Sequence, residues 1–179
     1  VTTNDYSSAD YYYVNKSSLP KVYGGFNTSL SWKGFDLSAI FAYSIGGYIY
    51  NRDITMILHN GSLEGRDWST EILRRWTPDN RYTDVPALST TSNNWNSAST
   101  RFLQNNSYMR LKNLTLSYNL PKQWISKLSL SSVQVYVQGD NLFTIHRNQG
   151  LDPEQGITGI TYYRYPAMRT ISGGINVSF

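Results

Sequence analysis

The stretch Leu30-Ser31-Trp32-Lys33-Gly34-Phe35-Asp36-Leu37 places a Lys-Gly pair between two runs in which apolar and polar side chains alternate. Alternation with a period of two is typical of a β-strand whose two faces differ, because successive side chains point to opposite sides. A two-residue loop that contains Gly is typical of a tight β-hairpin. The residues that flank such a loop lie opposite each other on one face, and here both are aromatic. The two runs therefore agree, and they predict one hairpin with one apolar face.

The same alternation recurs along the chain and predicts five long strands. They run from 11 to 16 residues and cover 22–32, 35–50, 108–120, 133–145 and 168–179. Strands of globular proteins are usually about 5–6 residues long, whereas a tilted strand needs about 9–11 residues to cross a bilayer. Length and alternation together favour strands that span a membrane.

The connections between the predicted strands alternate in length. The loop at 33–34 is tight and 121–132 is of medium length, whereas 51–107 and 147–167 are long. Outer-membrane barrels have short periplasmic turns and long extracellular loops. We therefore expect the long connections outside the cell, and we expect two loop helices, over 63–76 and 122–128, the second opened by Pro121.

Composition points to a surface that touches both lipid headgroups and water. Charged residues make up 16% of the chain, and 15 Tyr and 5 Trp stand against 6 Phe. Tyr and Trp carry an apolar ring with a polar tip and are enriched where membrane meets water. An extracellular all-β domain rich in Tyr is the alternative that composition leaves open.

Several classes of protein are excluded by the same numbers. The net charge of +4 is scattered and forms no basic stripe, which argues against a nucleic-acid partner. The absence of Cys excludes a disulfide framework and Cys-ligated metal sites. No run reaches 18 apolar residues, so the sequence predicts no transmembrane helix.

The fold class that we predict is all-β: an antiparallel transmembrane β-barrel segment of about five strands with short loop helices. The alternative is a secreted β-sandwich that binds carbohydrate.

Five strands are too few to close a barrel. In lipid, each unpaired backbone group at an open sheet edge costs several kcal/mol of free energy, and single-chain bacterial barrels have even strand numbers from about eight upward. Either more sequence lies upstream or several copies assemble into one barrel. The lack of a signal peptide and an initiator Met favours the first.

Ordered motifs along nearly the whole chain carry a resemblance to a known family. They are Pro20 to Asn27, Trp32 to Ser38, Arg75 to Asn80, Thr83 to Pro86, Ser107 to Pro121, Gly139 to Thr144, Leu151 to Glu154 and Gly173 to Phe179. In this order the motifs resemble the end of SusC/RagA-type TonB-dependent outer-membrane transporters of Bacteroidetes. On this resemblance, 1–179 is the C-terminal part of a 22-stranded barrel in the bacterial outer membrane.

The resemblance also implies partners and a function. Such proteins import glycans, oligosaccharides or peptides under a SusD-like surface lipoprotein, with a plug domain and TonB coupling that lie outside this chain. The strand that ends at Phe179 looks like the signal read by the barrel-assembly machinery. The resemblance implies a transporter segment, not an enzyme, with no cofactor.

Two groups of aromatic residues are candidate functional sites. Near the periplasmic rim, a girdle that anchors the barrel to the bilayer interface is expected at Trp32, Phe35, Tyr118, Trp124 and Phe179. In the predicted extracellular loops, aromatic rings could touch substrate or the lipoprotein lid, with packing inside the loops as the favoured alternative. These loop residues are Trp68, Trp76, Trp95, Tyr162 and Tyr163.

The sequence offers no catalytic or metal site. His59 and His146 are the only histidines and lack the spacing of a metal pair. Asp152 and Glu154 flank Pro153 and could bind Ca²⁺ through oxygen, although a solvated turn is favoured. An outer-membrane barrel enzyme would need a nucleophile beside a base, and neither His lies in such a context.

Overall fold

A computed structural model of the chain describes residues 5–61, 63–91, 94–148, 150, 152–154 and 157–179. The chain divides into two compact units, and each is considered by itself. The wall unit consists of Leu19–Gly47, Asn105–Glu154 and Tyr165–Phe179, and the loop unit of Val1–Ser18, Tyr48–Gln104 and Gln155–Arg164. Leu151, the first residue of the motif Leu151 to Glu154, lies outside the described residues.

The wall unit is one five-stranded sheet in which every neighbouring pair is antiparallel. Its strands are β1 (Val22–Trp32), β2 (Phe35–Ile45), β5 (Tyr108–Asn119), β6 (Ser132–His146) and β8 (Thr170–Ser178), in the order β1-β2-β5-β6-β8. The prediction of five long antiparallel strands is confirmed, with most strand ends within two residues of the expected positions.

The first hairpin turns within the two residues that the sequence indicated. Lys33 and Gly34 both have positive φ, 47° and 88°, as the primed two-residue turns that match strand twist require. A Cβ on Gly34 would lie 3.1 Å from the backbone oxygen of Asn119, so glycine also leaves room for the third strand. The turn places Trp32 directly opposite Phe35.

Register aligns the apolar residues of all five strands on one face, here called the apolar face. The row nearest the hairpin is Trp32, Phe35, Tyr118, Val135 and Ile175. The next row is Leu30, Leu37, Leu116, Val137 and Gly173, and further rows contain Ala39, Leu114, Phe26, Phe41, Leu111 and Phe143. Phe26 and Phe41 stack across the strands with ring centroids 4.7 Å apart. The periodicity of the sequence therefore predicted most of this face correctly.

The opposite face, here called the polar face, carries a network of side-chain hydrogen bonds. Asn119 Nδ2 donates to Asp36 at 2.7 Å, and Gln134 Nε2 donates to the oxygen of Asn119 at 3.1 Å. Asn113 Nδ2 donates to Asp140 at 2.8 Å. These pairs join neighbouring strands, so side-chain hydrogen bonds reinforce the backbone ladder on this side of the sheet.

Irregularities at β5 and β6 keep the apolar face continuous. The register of β5 shifts at Lys112. After this residue the apolar side chains stand at even-numbered positions, beginning with Leu114, whereas before it the apolar face contains the odd-numbered Leu111. Across from this bulge, β6 contains Asn141, whose φ is 52°. A bulge inserts an unpaired residue and changes which face the following side chains occupy. The odd-numbered half of the apolar set in β5 was not visible in the sequence pattern.

Two predicted elements differ from the structure. The predicted strand 35–50 is interrupted, because Gly46 has a φ of 91° and donates its N–H to Ser107 Oγ at 2.9 Å. The chain leaves the sheet there, and its continuation is a separate strand. The predicted helix over 63–76 is wrong, since only Thr70–Arg74 forms a short 3-10 helix, capped by the Ser69 hydroxyl.

The loop unit is built on three short strands with a small core. They are β3 (Tyr48–Asn51), β4 (Leu103–Asn105) and β7 (Ile160–Thr161), in the order β4-β3-β7, with β3 and β7 parallel. Helix α1 (Arg52–Ile57) begins after Asn51, whose side chain accepts from Ile54 N at 3.1 Å. The buried apolar side chains are Ile49, Leu58, Ile72, Val85 and Phe102. Further 3-10 turns cover Tyr6–Ser8, Asn94–Asn96 and Thr100–Phe102.

The predicted helix over 122–128 is confirmed. Helix α2 (Lys122–Ile125) follows Pro121 directly and continues into a 3-10 turn over Ser126–Leu128. None of the described helices is long and apolar enough to span a bilayer.

We predict that Gly25→Ala lowers the melting temperature of the full-length protein. An added Cβ would lie 2.8 Å from the backbone oxygen of Phe41 in the neighbouring strand, so the backbone must move, which costs about 1–3 kcal/mol. The measurement is the heat-induced loss of the folded band in detergent.

Gly174→Ala is the matched control, because the atoms in its way belong to the movable ring of Tyr136. An equal or larger loss of melting temperature for the Gly174 variant would contradict the backbone-contact explanation.

Candidate membrane interface and loop sites

The apolar face is not covered by another layer of this unit. Leu116 is 42% exposed, Val135 43% and Ile175 64%. A β-sandwich buries such residues against a second sheet, so the sandwich alternative does not fit this structure. Contiguous exposed apolar surface of this kind marks contact with a membrane or with another protein.

The five predicted interface anchors lie at one end of the sheet. Trp32, Phe35 and Tyr118 share the row nearest the hairpin, and Phe35 and Tyr118 have ring centroids 4.5 Å apart. Trp124 lies on α2, directly after β5, and is exposed. Phe179 follows the last residue of β8, which pairs with the start of β6.

The Lys33 ammonium lies next to the aromatic residues at this end of the sheet. Lys33 Nζ lies 5.0 Å from the centroid of the Trp32 ring. An aromatic ring with a neighbouring amine suits the headgroup region, where both apolar and charged groups are accommodated. The anchoring role of these residues stays a prediction, as does the contact of Phe179 with the assembly machinery.

Tyr162 and Tyr163 come together with α1 in the loop unit. Their ring centroids are 4.2 Å apart, and the Arg52 guanidinium lies 4.7 Å from the Tyr162 ring. Tyr163 has a φ of 49°, and its N–H donates to Asp53 at 3.0 Å. Residues Asp53, Met56, Ile57, Gly65, Arg66, Asp67 and Tyr163 line a cavity of about 530 Å³. An exposed tyrosine pair beside a cavity can stack on a sugar ring or hold a peptide side chain.

The three loop tryptophans lie in different surroundings. Trp95 donates from Nε1 to Leu58 O at 2.6 Å, and the Arg101 guanidinium lies 3.4 Å from its ring centroid. Trp68 packs edge-on against the buried ring of His59, with centroids 5.1 Å apart. Trp76 donates its backbone N–H to Val85 O at 2.8 Å and keeps an exposed ring. Trp95 therefore packs within the loop unit, whereas the side chains of Trp68 and Trp76 are exposed to solvent.

Sequence reasoning missed a charged cluster on the polar face of the wall unit. Arg110 of β5 is 3% exposed and forms ion pairs with Asp152 and, at 2.8 Å, with Glu154. Lys112 Nζ lies 2.7 Å from Glu154. The two carboxylates considered for Ca²⁺ are thus paired with cations. A signal was present in the sequence: two cations stand inside a predicted membrane strand, where charges are rare unless they face an interior.

Neither His59 nor His146 lies in a cluster of metal-binding side chains among the described residues. His146 Nδ1 is 2.9 Å from the backbone oxygen of Asn148, at the end of β6. Within the described part of the chain, neither ring nitrogen of His59 has a hydrogen-bond partner. No group of three or more His, Cys, Asp or Glu side chains among the described residues could hold a metal ion.

The pKa of Asp152 lies below its ordinary value. Burial alone would raise the pKa, but hydrogen bonds from Ala167 N, the Arg110 guanidinium and Glu154 N, together with the Arg110 charge, outweigh it. A carboxyl whose pKa is lower in the folded state stabilises the protein above its unfolded pKa, and this contribution is lost as pH falls through the folded pKa.

We therefore predict that Asp152→Asn lowers the melting temperature of the full-length protein at pH 7 and that the difference from wild type shrinks as pH falls below about 4. Loss of charged hydrogen bonds costs about 1.5–3 kcal/mol each. Thermal unfolding at pH 7, 5 and 3 measures the effect. A difference that grows on acidification would contradict the assigned direction.

Comparison with known proteins finds relatives by sequence over most of the chain. No family model matches the chain. It is 34% identical over 166 residues to TonB-dependent receptor P3 of Formosa agariphila, covering 87% of this chain and 16% of that protein. It is 27% identical over 168 residues to TonB-dependent receptor SusC of Bacteroides thetaiotaomicron, covering 93% of this chain and 16% of that protein.

Solved structures agree with the sequence comparison. The chain matches the RagAB peptide importer in its closed-closed state with a TM-score of 0.87 and 36% identity, over 100% of this chain and 19% of that one. The chain thus spans less than a fifth of the length of these relatives. The chain is therefore homologous to TonB-dependent receptors of the SusC/RagA type, and it is an all-β barrel segment of the bacterial outer membrane.

Proposed function

We propose that this chain forms part of the barrel wall of a TonB-dependent importer, with its apolar face toward lipid and its polar face toward the lumen. The exposed apolar face is the observation that carries the proposal: rows such as Leu30, Leu37, Leu116 and Val137 have no covering layer in the wall unit. Burial of such surface in acyl chains removes it from water, at about 25 cal/mol per Å².

The polar face supports the lumen side of the proposal. Its amides, hydroxyls and carboxylates hydrogen-bond across the strands, for example Asn113 with Asp140 and Gln134 with Asn119. Barrel strands alternate apolar residues toward lipid with polar residues toward the interior. In lipid, such amides and carboxylates would be costly to bury.

We further propose that the parent protein imports glycans, oligosaccharides or peptides together with a SusD-like lipoprotein and draws energy from the TonB complex through parts outside this chain. The homology to SusC and to the RagAB peptide importer supports this reading. In the proposal this segment supplies wall and loops and has no catalytic role.

Loop aromatics are proposed as contacts for substrate or the lipoprotein. Tyr163, Trp68 and Trp76 are exposed, and Tyr163 borders a cavity. Trp95 is the weakest of the predicted contacts, because both its N–H and one ring face are already engaged. The bilayer anchors are Trp32, Phe35, Tyr118, Trp124 and Phe179.

Single-cysteine variants test the orientation of the wall, since this chain contains no Cys. A fluorescent bimane group is attached at Leu116→Cys or Val137→Cys on the apolar face, and at Thr115→Cys or Gln138→Cys on the polar face. We expect quenching by brominated lipid in vesicles at the first two positions and little at the last two.

Thr115 and Leu116 are adjacent in one strand, so they form a matched pair at nearly the same depth. Equal quenching at both positions, or stronger quenching at Thr115, would refute the proposed orientation.

Uptake tests the wider proposal. Deleting the receptor gene should abolish growth on one class of substrate, either oligosaccharides or peptides, as sole source of carbon or nitrogen, and tagged receptor should co-purify a surface lipoprotein. Restoring the gene restores growth. Unchanged growth on every oligosaccharide and peptide mixture tried would contradict an importer of either class.

A further inference from the structure

Arg110 is a buried cation on the polar face of the wall. In the strand ladder it lies between Ala42 of β2 and Thr144 of β6, two residues inside the start of β5. Its Nε donates to Thr144 Oγ1 at 2.9 Å, so one edge of the guanidinium is held by the neighbouring strand. The orientation of the side chain is therefore set within the sheet.

The other guanidinium nitrogens bind the connection that follows β6. Nη1 donates to Glu154 Oε2 at 2.8 Å, and Nη2 donates to Asp152 Oδ1. Lys112, on the same strand, adds a bond of 2.7 Å to Glu154. Two cations from one strand thus meet two carboxylates from one loop. A planar guanidinium with fixed donors is suited to such multiple recognition.

The Asp152 carboxylate also joins the outgoing and returning parts of this connection. Asp152 accepts from Glu154 N at 2.9 Å and from Ala167 N at 2.6 Å, although Ala167 lies fifteen positions further along the chain. Asn106 Nδ2 donates to Pro153 O at 2.8 Å, which fixes the same turn from the start of β5. The outgoing and returning parts of the loop are therefore tied to the polar face.

A cavity of about 410 Å³ lies where this connection meets the strand ends. Its lining includes Arg110, Thr144, Asp152, Pro153, Pro166 and Ala167. The lining combines residues of β5 and β6 with residues of the loop, so the loop packs against the ends of these strands.

We propose that Arg110 is a positioning residue for transport, which holds Asp152–Glu154 against the polar face so that this turn forms a fixed constriction in the transport path. The inference rests on the proposed function, because it needs the polar face to line the lumen. Stability alone is a poor explanation of the cluster, because well-packed apolar residues often stabilise a protein as well as a buried ion pair does.

Hydrogen exchange in the full-length receptor tests the positioning. In Arg110→Met, the amides of Glu154 and Ala167, which both donate to Asp152, should exchange about tenfold faster or more, because the turn opens locally. Amides in the middle of β5 and β6 should keep wild-type rates. Arg110→Lys should give an intermediate effect, since it keeps the charge and loses the fork of donors.

The matched control is Arg74→Met, which removes an arginine from an exposed ion pair with Glu71 in the loop unit. It should leave exchange at Glu154 and Ala167 unchanged. If Arg110→Met does not assemble, Arg110→Lys serves in its place, because it keeps the charge, removes the fork of donors and leaves Asp152, the acceptor of both reporter amides, unchanged.

Uptake of a graded series of labelled substrates of increasing size tests the constriction. The Arg110 variant should shift the size limit upward relative to wild type and Arg74→Met, with melting temperatures measured in parallel. Unchanged exchange at Glu154 and Ala167 would overturn the positioning, and faster exchange with an unchanged size limit would overturn the constriction. Either result leaves the wall orientation intact, since lipid quenching at Leu116→Cys and Thr115→Cys tests that separately.

Discussion

Cross-strand register is the constraint on which the wall unit depends. Five antiparallel strands align so that Leu37 meets Leu116 and Leu116 meets Val137, while Ser38 meets Thr115 and Thr115 meets Gln138. Because side chains alternate between faces, a slip of one residue in a single strand would place its polar set on the apolar face. The tight turn at Lys33 and Gly34 sets this register, and the shift at the Lys112 bulge keeps both Leu111 and Leu114 on the apolar face.

Different interactions link the strands on the two faces of the sheet: apolar contacts on one and side-chain hydrogen bonds on the other. On the apolar face, rings and branched side chains touch across strands, as Phe26 and Phe41 do, and leave a continuous apolar surface. On the polar face, amides and carboxylates satisfy one another in neighbouring strands. A sheet of this kind needs an apolar environment on one side and water or polar protein on the other. Homology to outer-membrane receptors supplies that setting.

Charge and aromatic rings organise the connections. Arg110 and Lys112 meet Asp152 and Glu154 on the wall, so the charges of this cluster balance. In the loop unit, Arg52 lies over Tyr162 and Arg101 over Trp95. Buried or half-buried cations keep their charge at low cost only where a carboxylate or an aromatic face compensates for lost water. The loops are therefore held by specific pairs, with a small apolar core.

The sequence by itself determined the all-β class, the strands, the first hairpin and most of the apolar face, because a period of two is a local property that needs no distant partner. The motif series also identified the family. Local pattern could not show the break at Gly46, the parity change at Lys112 or the absence of a helix over 63–76, since each depends on contacts with other segments. Only the tertiary structure brought Arg110 of β5 to Asp152 and Glu154, about forty residues away, because charge pairing across such a distance is decided by the register of the sheet and the path of the loop.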